Sequence, residues 1–183
     1  VNIVTLGDNI KEVCRVVEEI ANIGVIVCDE MTNDEQKAML ASAIKSSEKG
    51  EERLCFFASD PDFALENAKG LNSERGIVCT PKSDCDGVSA SIIPACAMAA
   101  ATTGRKPNYN LSGAELKGVT AGRTLKEDDI QLMIKNGVSV CENIGDSCRW
   151  VRAVTTRTTT AGMADGAFRS VNTVMIIDDV MSA

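Results

Sequence analysis

Any acid–base chemistry in this chain has to be done without histidine. None of the 183 residues is His, which removes the commonest general base, the commonest metal ligand and the serine triad in its usual form. That work would fall to lysines or to carboxylates, and the candidate pairs are Asp84 with Asp86, Asp128 with Asp129, and Asp178 with Asp179. Neighbouring helix positions point in different directions, so Asp128 and Asp129 suit a solvated first turn better than a shared-proton dyad. SDCDG, which carries Asp84 and Asp86, lacks the remaining ligands of a calcium loop.

The eight cysteines are Cys14, Cys28, Cys55, Cys79, Cys85, Cys96, Cys141 and Cys148, with no CxxC among them. Without histidine that spacing disfavours zinc. Cys28, Cys55 and Cys79 lie inside apolar runs and read as small reduced core residues, which fits assembly in a reducing cytoplasm. Cys141 and Cys148 flank a turn and could face each other across it. A cysteine nucleophile would need a carboxylate or lysine base, and no local arrangement singles one out. The reading assigns no catalytic residue, no cofactor site and no metal ligands.

The other stretch that stands out is CRWVRAVTTRTTT, Cys148 to Thr160, where Arg149, Arg152 and Arg157 are set among valines and threonines. Its β propensity is high, and its arginines can make charge-assisted hydrogen bonds to carboxylates of a neighbouring element or subunit. Strand alternation puts Trp150, Arg152 and Val154 on one face and Arg149, Val151 and Ala153 on the other, so neither face is cleanly apolar. Two readings fit: an edge strand whose arginines block aggregation, or an assembly contact.

The elements that would position these residues follow from composition and periodicity. With 44% hydrophobic and 25% charged residues, the chain has the balance of one folded, soluble domain. No apolar run approaches the roughly 18 residues that span a bilayer, and we expect no membrane segment. Aromatic residues make up 3% and the net charge is −7, which argues against a base-stacking nucleic-acid surface. The chain begins at Val1 and stops within the apolar stretch MIIDDVMSA, so we expect a fragment of a longer protein.

The first two thirds alternate strands and helices. VNIVTL reads as a strand, followed by a helix with Ile10, Val13, Val17 and Ile20 on one face behind an Asp8 or Asn9 cap. A strand over Ile23 to Cys28 precedes a helix capped by Thr32 or Asn33 and stopped near Gly50. RLCFFAS leads into a helix with a Ser59 or Asp60 cap and Pro61 in its first turn, and RGIVCTP is the next strand. Short apolar strands joined by helices predict an α/β fold, a largely parallel sheet flanked by helices. Neither TLGDN nor SSEKGEE has the glycines of a phosphate-binding loop.

Ala90 to Ala101 predicts an alanine-rich helix with Pro94 in its first turn or at a kink. It would pack closely on the sheet, and another subunit could cover it as well. RKPNYNLSGAELKGV is a turn-rich link in which Asn110 and Ser112 suit turns or caps. Thr124 and Glu127 have the spacing of a capping box for a helix ending at Gly137. VSVCENIGDSCRWVRAVTT predicts a β-hairpin turning at NIGD.

In this order, LKEDDIQLMIKNGVSV, RWVRAVTTRTTT and DGAFRSVNT resemble the contractile tail sheath proteins of bacteriophages and phage-tail-like bacteriocins. In that family a comparable helix ends at Asn-Gly, a strand carries a V-R-x-V-T-T-like motif, and an Asp-rich turn introduces a helix. The resemblance covers roughly residues 85 to 183, and the α/β part before it is compatible. It implies one α/β domain, residues 1–183, of a longer sheath protein, divisible into an α/β layer over 1–80 and a sheath-type core over 81–183.

The resemblance also implies a structural subunit, not an enzyme, that polymerises as hexameric rings around an inner tail tube and contracts to drive the tube through an envelope. Its partners would be other sheath subunits and the tube protein, the latter contacted beyond this segment, with no nucleic acid or membrane. Its place would be a virion tail or phage-tail-like particle, assembled in a bacterial cytoplasm. Arg149, Arg152, Arg157 and Arg169 are the candidate subunit contacts. Set against that family, we expect the long terminal arms by which such subunits add strands to one another's sheets to fall outside these 183 residues. The alternative is an α/β enzyme or small-ligand-binding domain using the carboxyl edge of the sheet, where Asp8, Asn9, Asp29 and Asp60 follow strands; helix capping explains the same residues. A response-type domain modified on Asp would need an acidic cluster after its first strand, which is missing.

Overall fold

A computed structural model describes residues 9–103 and 106–181. In chain order the elements are α1 (Ile10–Glu19), β1 (Val25–Cys28), α2 (Asn33–Ser47), β2 (Leu54–Ala58), α3 (Pro61–Leu71), β3 (Gly76–Thr80), β4 (Ser83–Cys85), β5 (Val88–Ala90), α4 (Ile92–Thr103), β6 (Val119–Ala121), α5 (Glu127–Lys135), β7 (Val138–Ile144), β8 (Ser147–Trp150), β9 (Thr159–Thr160), β10 (Met163–Ala164) and α6 (Val171–Met181). The fold is α/β, as expected. The VNIVTL strand and Asp8 lie outside the described residues.

The main sheet has the order β1-β2-β3-β7-β8. Its first four strands run parallel, in a register that aligns Val27 with Phe56, Phe56 with Ile77, and Val78 with Val138. β8 returns antiparallel on β7 through a two-residue turn between Ile144 and Ser147, where Gly145 takes a positive φ of 61°. Alternation along the strands divides the core in two. Cys55, Phe57, Val78, Val138 and Val140 face one cluster with α1, α2, α3 and α5. Leu54, Phe56, Ile77, Cys141 and Trp150 face the other, with α4 and the start of α6. Both faces of β2 and β3 are therefore buried, which is why these strands read as unbroken apolar runs.

α4 is the close-packed central helix: Ala95, Met98 and Ala99 are buried against the sheet, with Pro94 in the first turn. A small antiparallel sheet, β5-β4-β6, and the β9–β10 hairpin complete the second half.

Two local expectations are corrected. Thr124 and Glu127 form no capping box. Lys126 is the extended N-cap of α5 and no side chain caps there, because the helix starts at Glu127 itself and leaves Thr124 two residues before the N-cap. Its three first-turn carboxylates complement the helix dipole instead. The reciprocal box occurs in α2, between Thr32 and Glu35.

The second correction concerns the threonine-rich stretch, which is strand only up to Trp150, in β8, and again in the two-residue β9 at its end. Val151 N still donates to the Val140 carbonyl of β7, but the amides of residues 153–156 go to four separate acceptors. Ala153 N donates to Ser112 Oγ and Val154 N to Ser139 Oγ, Thr155 N to the Arg169 carbonyl, and Thr156 N to the Gly76 carbonyl. A chain tied to several partners cannot keep a single ladder, and the alternation ends. Ala153, Val154, Thr155 and Thr156 are all buried, while Arg152 is exposed. Gly137 lies beneath this stretch at φ +83°, where a Cβ would come within 2.8 Å of the Thr155 carbonyl oxygen.

Candidate assembly surface

The buried threonines work as internal ties. Thr156 Oγ1 accepts from Ser73 N and donates to Ser73 O, each at 3.0 Å. Thr155 Oγ1 donates to the Phe168 carbonyl at 2.8 Å. Thr158 N and Thr159 N both donate to Asn72 Oδ1, which joins this stretch to the end of α3. The β-branched composition that suggested a strand thus serves a cross-connection between β3, α3 and the segment leading into α6.

The four arginines expected to be subunit contacts are not brought together in one cluster. Arg157 pairs with Glu74 at 2.7 Å, donates to Thr160 Oγ1 at 2.9 Å and lies over the Phe168 ring at 5.1 Å. Arg169 donates to the Ile134 carbonyl at 2.6 Å, closing the last turn of α5. Arg149 donates to the Gly113 carbonyl at 3.1 Å. Arg152 is exposed; its carbonyl accepts from Ser139 Oγ at 3.5 Å, and its guanidinium makes no hydrogen bond or ion pair among the described residues. The geometry leaves Arg152 the least committed of the four.

Two arginines that sequence reasoning did not single out carry more of the internal structure. Arg53 is fully buried and donates to the carbonyls of Val17 and Ile20, at 2.7 and 3.0 Å, at the C-terminal end of α1. Glu51 balances its charge at 2.6 Å. Arg75 holds Asp178 with two nitrogens, at 2.5 and 2.8 Å, and pairs with Glu52 at 2.6 Å. Their only sequence signal was position: each is a cation one residue before an apolar strand.

Electrostatics follow these contacts. Burial pushes Glu74 upward, but its hydrogen bond from Arg157 and the nearby arginine charges outweigh that and hold it below the usual carboxylate range. Thr160 and the Ala167 amide hold Asp165 low in the same way. For Arg75, burial opposes the charge, yet Asp178, Glu52 and Glu74 raise its pKa overall.

The candidate carboxylate pairs do not form dyads. Asp128 and Asp129 are exposed in the first turn of α5. Asp84 lies in β4, whereas Asp86 occupies the β4–β5 turn with φ 48°. Asp178 is bound to Arg75, and Asp179 is exposed. Along the carboxyl edge, Asn9 and Asp60 cap α1 and α3, and Asp29 accepts from the next amide. Among the described residues no three His, Cys, Asp or Glu side chains could hold a metal ion. A shallow cleft of about 320 Å³ lies at the opposite edge, between the approaches to β1 and β2 and the end of α6, lined by Gly24, Glu52, Thr102, Met175, Asp178 and Asp179 among others.

All eight cysteines are free thiols. Burial pushes Cys28 up to about 12, and Cys55 and Cys79 also stay protonated for the same reason. Cys141 lies opposite Trp150 and Cys148 opposite Asn143, a diagonal placement on one face of the hairpin. Cys141 Sγ lies 3.5 Å from Ser83 Oγ, and the closeness of the two buried thiols raises Cys141 and lowers Cys148. No described helix is long and apolar enough to cross a membrane.

No family model matches the chain, and no curated protein matches it in sequence. Solved structures do match in shape. The sheath tail protein from Desulfitobacterium hafniense superposes with a TM-score of 0.78 at 14% identity, over 93% of this chain and 40% of its own. A sheath tail protein from Listeria innocua gives a TM-score of 0.79 at 14% identity, over 94% of this chain and 39% of its own. The contracted helical sheath of the anti-feeding prophage gives 0.66 at 13% identity, over 98% of this chain and 51% of its own. The chain thus spans about two fifths to one half of the length of these proteins. Residues 9–103 and 106–181 have the fold of sheath tail proteins, the class its C-terminal motifs resemble.

Proposed function

We propose that this chain is one α/β domain of a longer structural subunit, which polymerises into the contractile sheath of a phage tail or phage-tail-like particle. The observation that carries this reading is the fold match over nearly the whole chain to sheath proteins, one of them solved within a helical sheath. In this reading the subunits form hexameric rings stacked around an inner tube, and a change in their packing shortens the sleeve and drives the tube forward. The particle assembles in the bacterial cytoplasm, and the tube is met by parts of the subunit beyond this domain.

The domain's role is that of a rigid block. Many of its polar residues serve as caps and internal ties, and among the described residues no acid, base and nucleophile converge in a cleft. Work in such a machine comes from differences in packing energy between two assembled states, which requires a body that moves without deforming. The test is electron microscopy of the complete subunit. The sheath reading expects rings or tubes; a monodisperse protein that turns over a small molecule would overturn it.

A further inference from the structure

β1 is an outer strand of the main sheet: β2 lies on one side of it, and among the described residues no strand lies on the other. The register fixes which backbone groups face out. Leu54 N donates to the Gly24 carbonyl, and parallel pairing then turns Gly24, Ile26 and Cys28 toward β2. The amides and carbonyls of Val25 and Val27 point away from it. An open edge is commonly guarded by charged residues or proline, and VIVC carries neither. Its first three side chains are half-buried, whereas every residue of β2 and β3 is buried.

Two features select the neighbour of that edge. β1, α2 and β2 form one parallel crossover, and α2 lies on the same face of the sheet as α1. Such crossovers are right-handed in about 98% of cases. A strand that enters through α1 on this face must therefore lie on the side of β1 away from β2. The second feature is the position of α1, which packs along α2 and makes little contact with β1. That is where a helix belongs when it bridges β1 and a further strand outside it.

We propose that the open edge of β1 is the docking site of the chain's own residues 1–6, VNIVTL, as a sixth, parallel strand of the main sheet. The run is apolar and β-branched, the composition that pairs well at such an edge. Arg53 holds the C-terminal end of α1 near the start of β2, so α1 begins at the carboxyl edge, where a strand parallel to β1 would end. Residues 7–9 are left as the connection to Ile10, an ordinary length between strand and helix. Val25 and Val27 then find partners for both backbone groups, and their half-buried neighbours gain cover. The edge is thereby closed to a strand from another subunit. This inference stands on the fold alone and holds whether or not the sheath reading does.

Amide hydrogen exchange of the whole chain tests this through Val25 and Val27. Both amides should be protected in the wild type, and equally so at every dilution, because the partner strand belongs to the same molecule. Ile3→Pro and Val4→Pro each remove one backbone N–H. Successive strand residues face opposite ways, so one of the two takes a donor from the new ladder. That variant should speed exchange at Val25 and Val27 about tenfold or more, while Phe56 and Val78 on the inner strands stay protected and report intact folding. Free exchange at Val25 and Val27 in the wild type would overturn the proposal without any variant. So would protection that survives in both folded proline variants. Protection lost on dilution would overturn it as well, since the strand would then come from a second copy.

Discussion

The Arg75 guanidinium grips the Asp178 carboxylate through both terminal nitrogens, joining residues 103 apart in sequence and fixing α6 to the start of β3. Glu52 closes the same cation from the approach to β2 at 2.6 Å. One side chain therefore ties two parallel strands and the last helix at the edge where the sheet begins. This three-residue cluster makes α6 move with the sheet, as the proposed sheath role would require.

Asp178→Ala should loosen that attachment. Arg75 keeps Glu52, so it is not left as a lone buried charge, and the loss corresponds to one charge-assisted, two-toothed bond: about 1.5–3 kcal/mol. Urea unfolding should show a lower midpoint at constant slope. Hydrogen exchange should speed up in α6 first.

Thr156→Val preserves shape and removes the hydroxyl that both accepts from and donates to Ser73. Two buried backbone groups then lose their partner, which should cost about 1–3 kcal/mol. Thr156→Ser retains the hydroxyl and should recover most of that. Denaturant unfolding of the two variants side by side checks it, since a role in packing alone would make Ser the worse replacement.

Acid should weaken the same region through Glu74. Its pKa in the folded protein lies below the ordinary value near ~4.3. The stability it contributes is complete above that ordinary value and is lost as pH falls through the lowered one. Glu74→Gln should therefore be less stable than wild type at neutral pH and show a shallower loss of stability on acidification. Equal slopes for the two proteins would rule out the Arg157–Glu74 pair as a source of that loss.

The layered fold was legible because its signals are local. Strand and helix alternate with caps at Thr32 and Asp60, Pro61 opens α3, and the runs LCFFA and GIVCT are apolar on both faces. The alanine-rich helix was legible for the same reason. What sequence could not show depends on contacts across the chain. Propensity alone makes Val151 to Thr160 a continuous strand, yet from Ala153 to Thr156 the acceptors Ser112, Ser139, Arg169 and Gly76 take its amides one at a time. The same limit applied to the arginines. Arg157 and Arg169 looked available, but Glu74 and the end of α5 engage them from distant positions. Arg53 and Arg75 looked like ordinary charges beside strands, and their partners come from α1 and α6.

Electron microscopy of the complete wild-type subunit, at concentrations where polymers can grow, tests the central claim most directly. Regular rings or tubes of stacked subunits are the result expected here. A uniformly monomeric protein under all those conditions would contradict it.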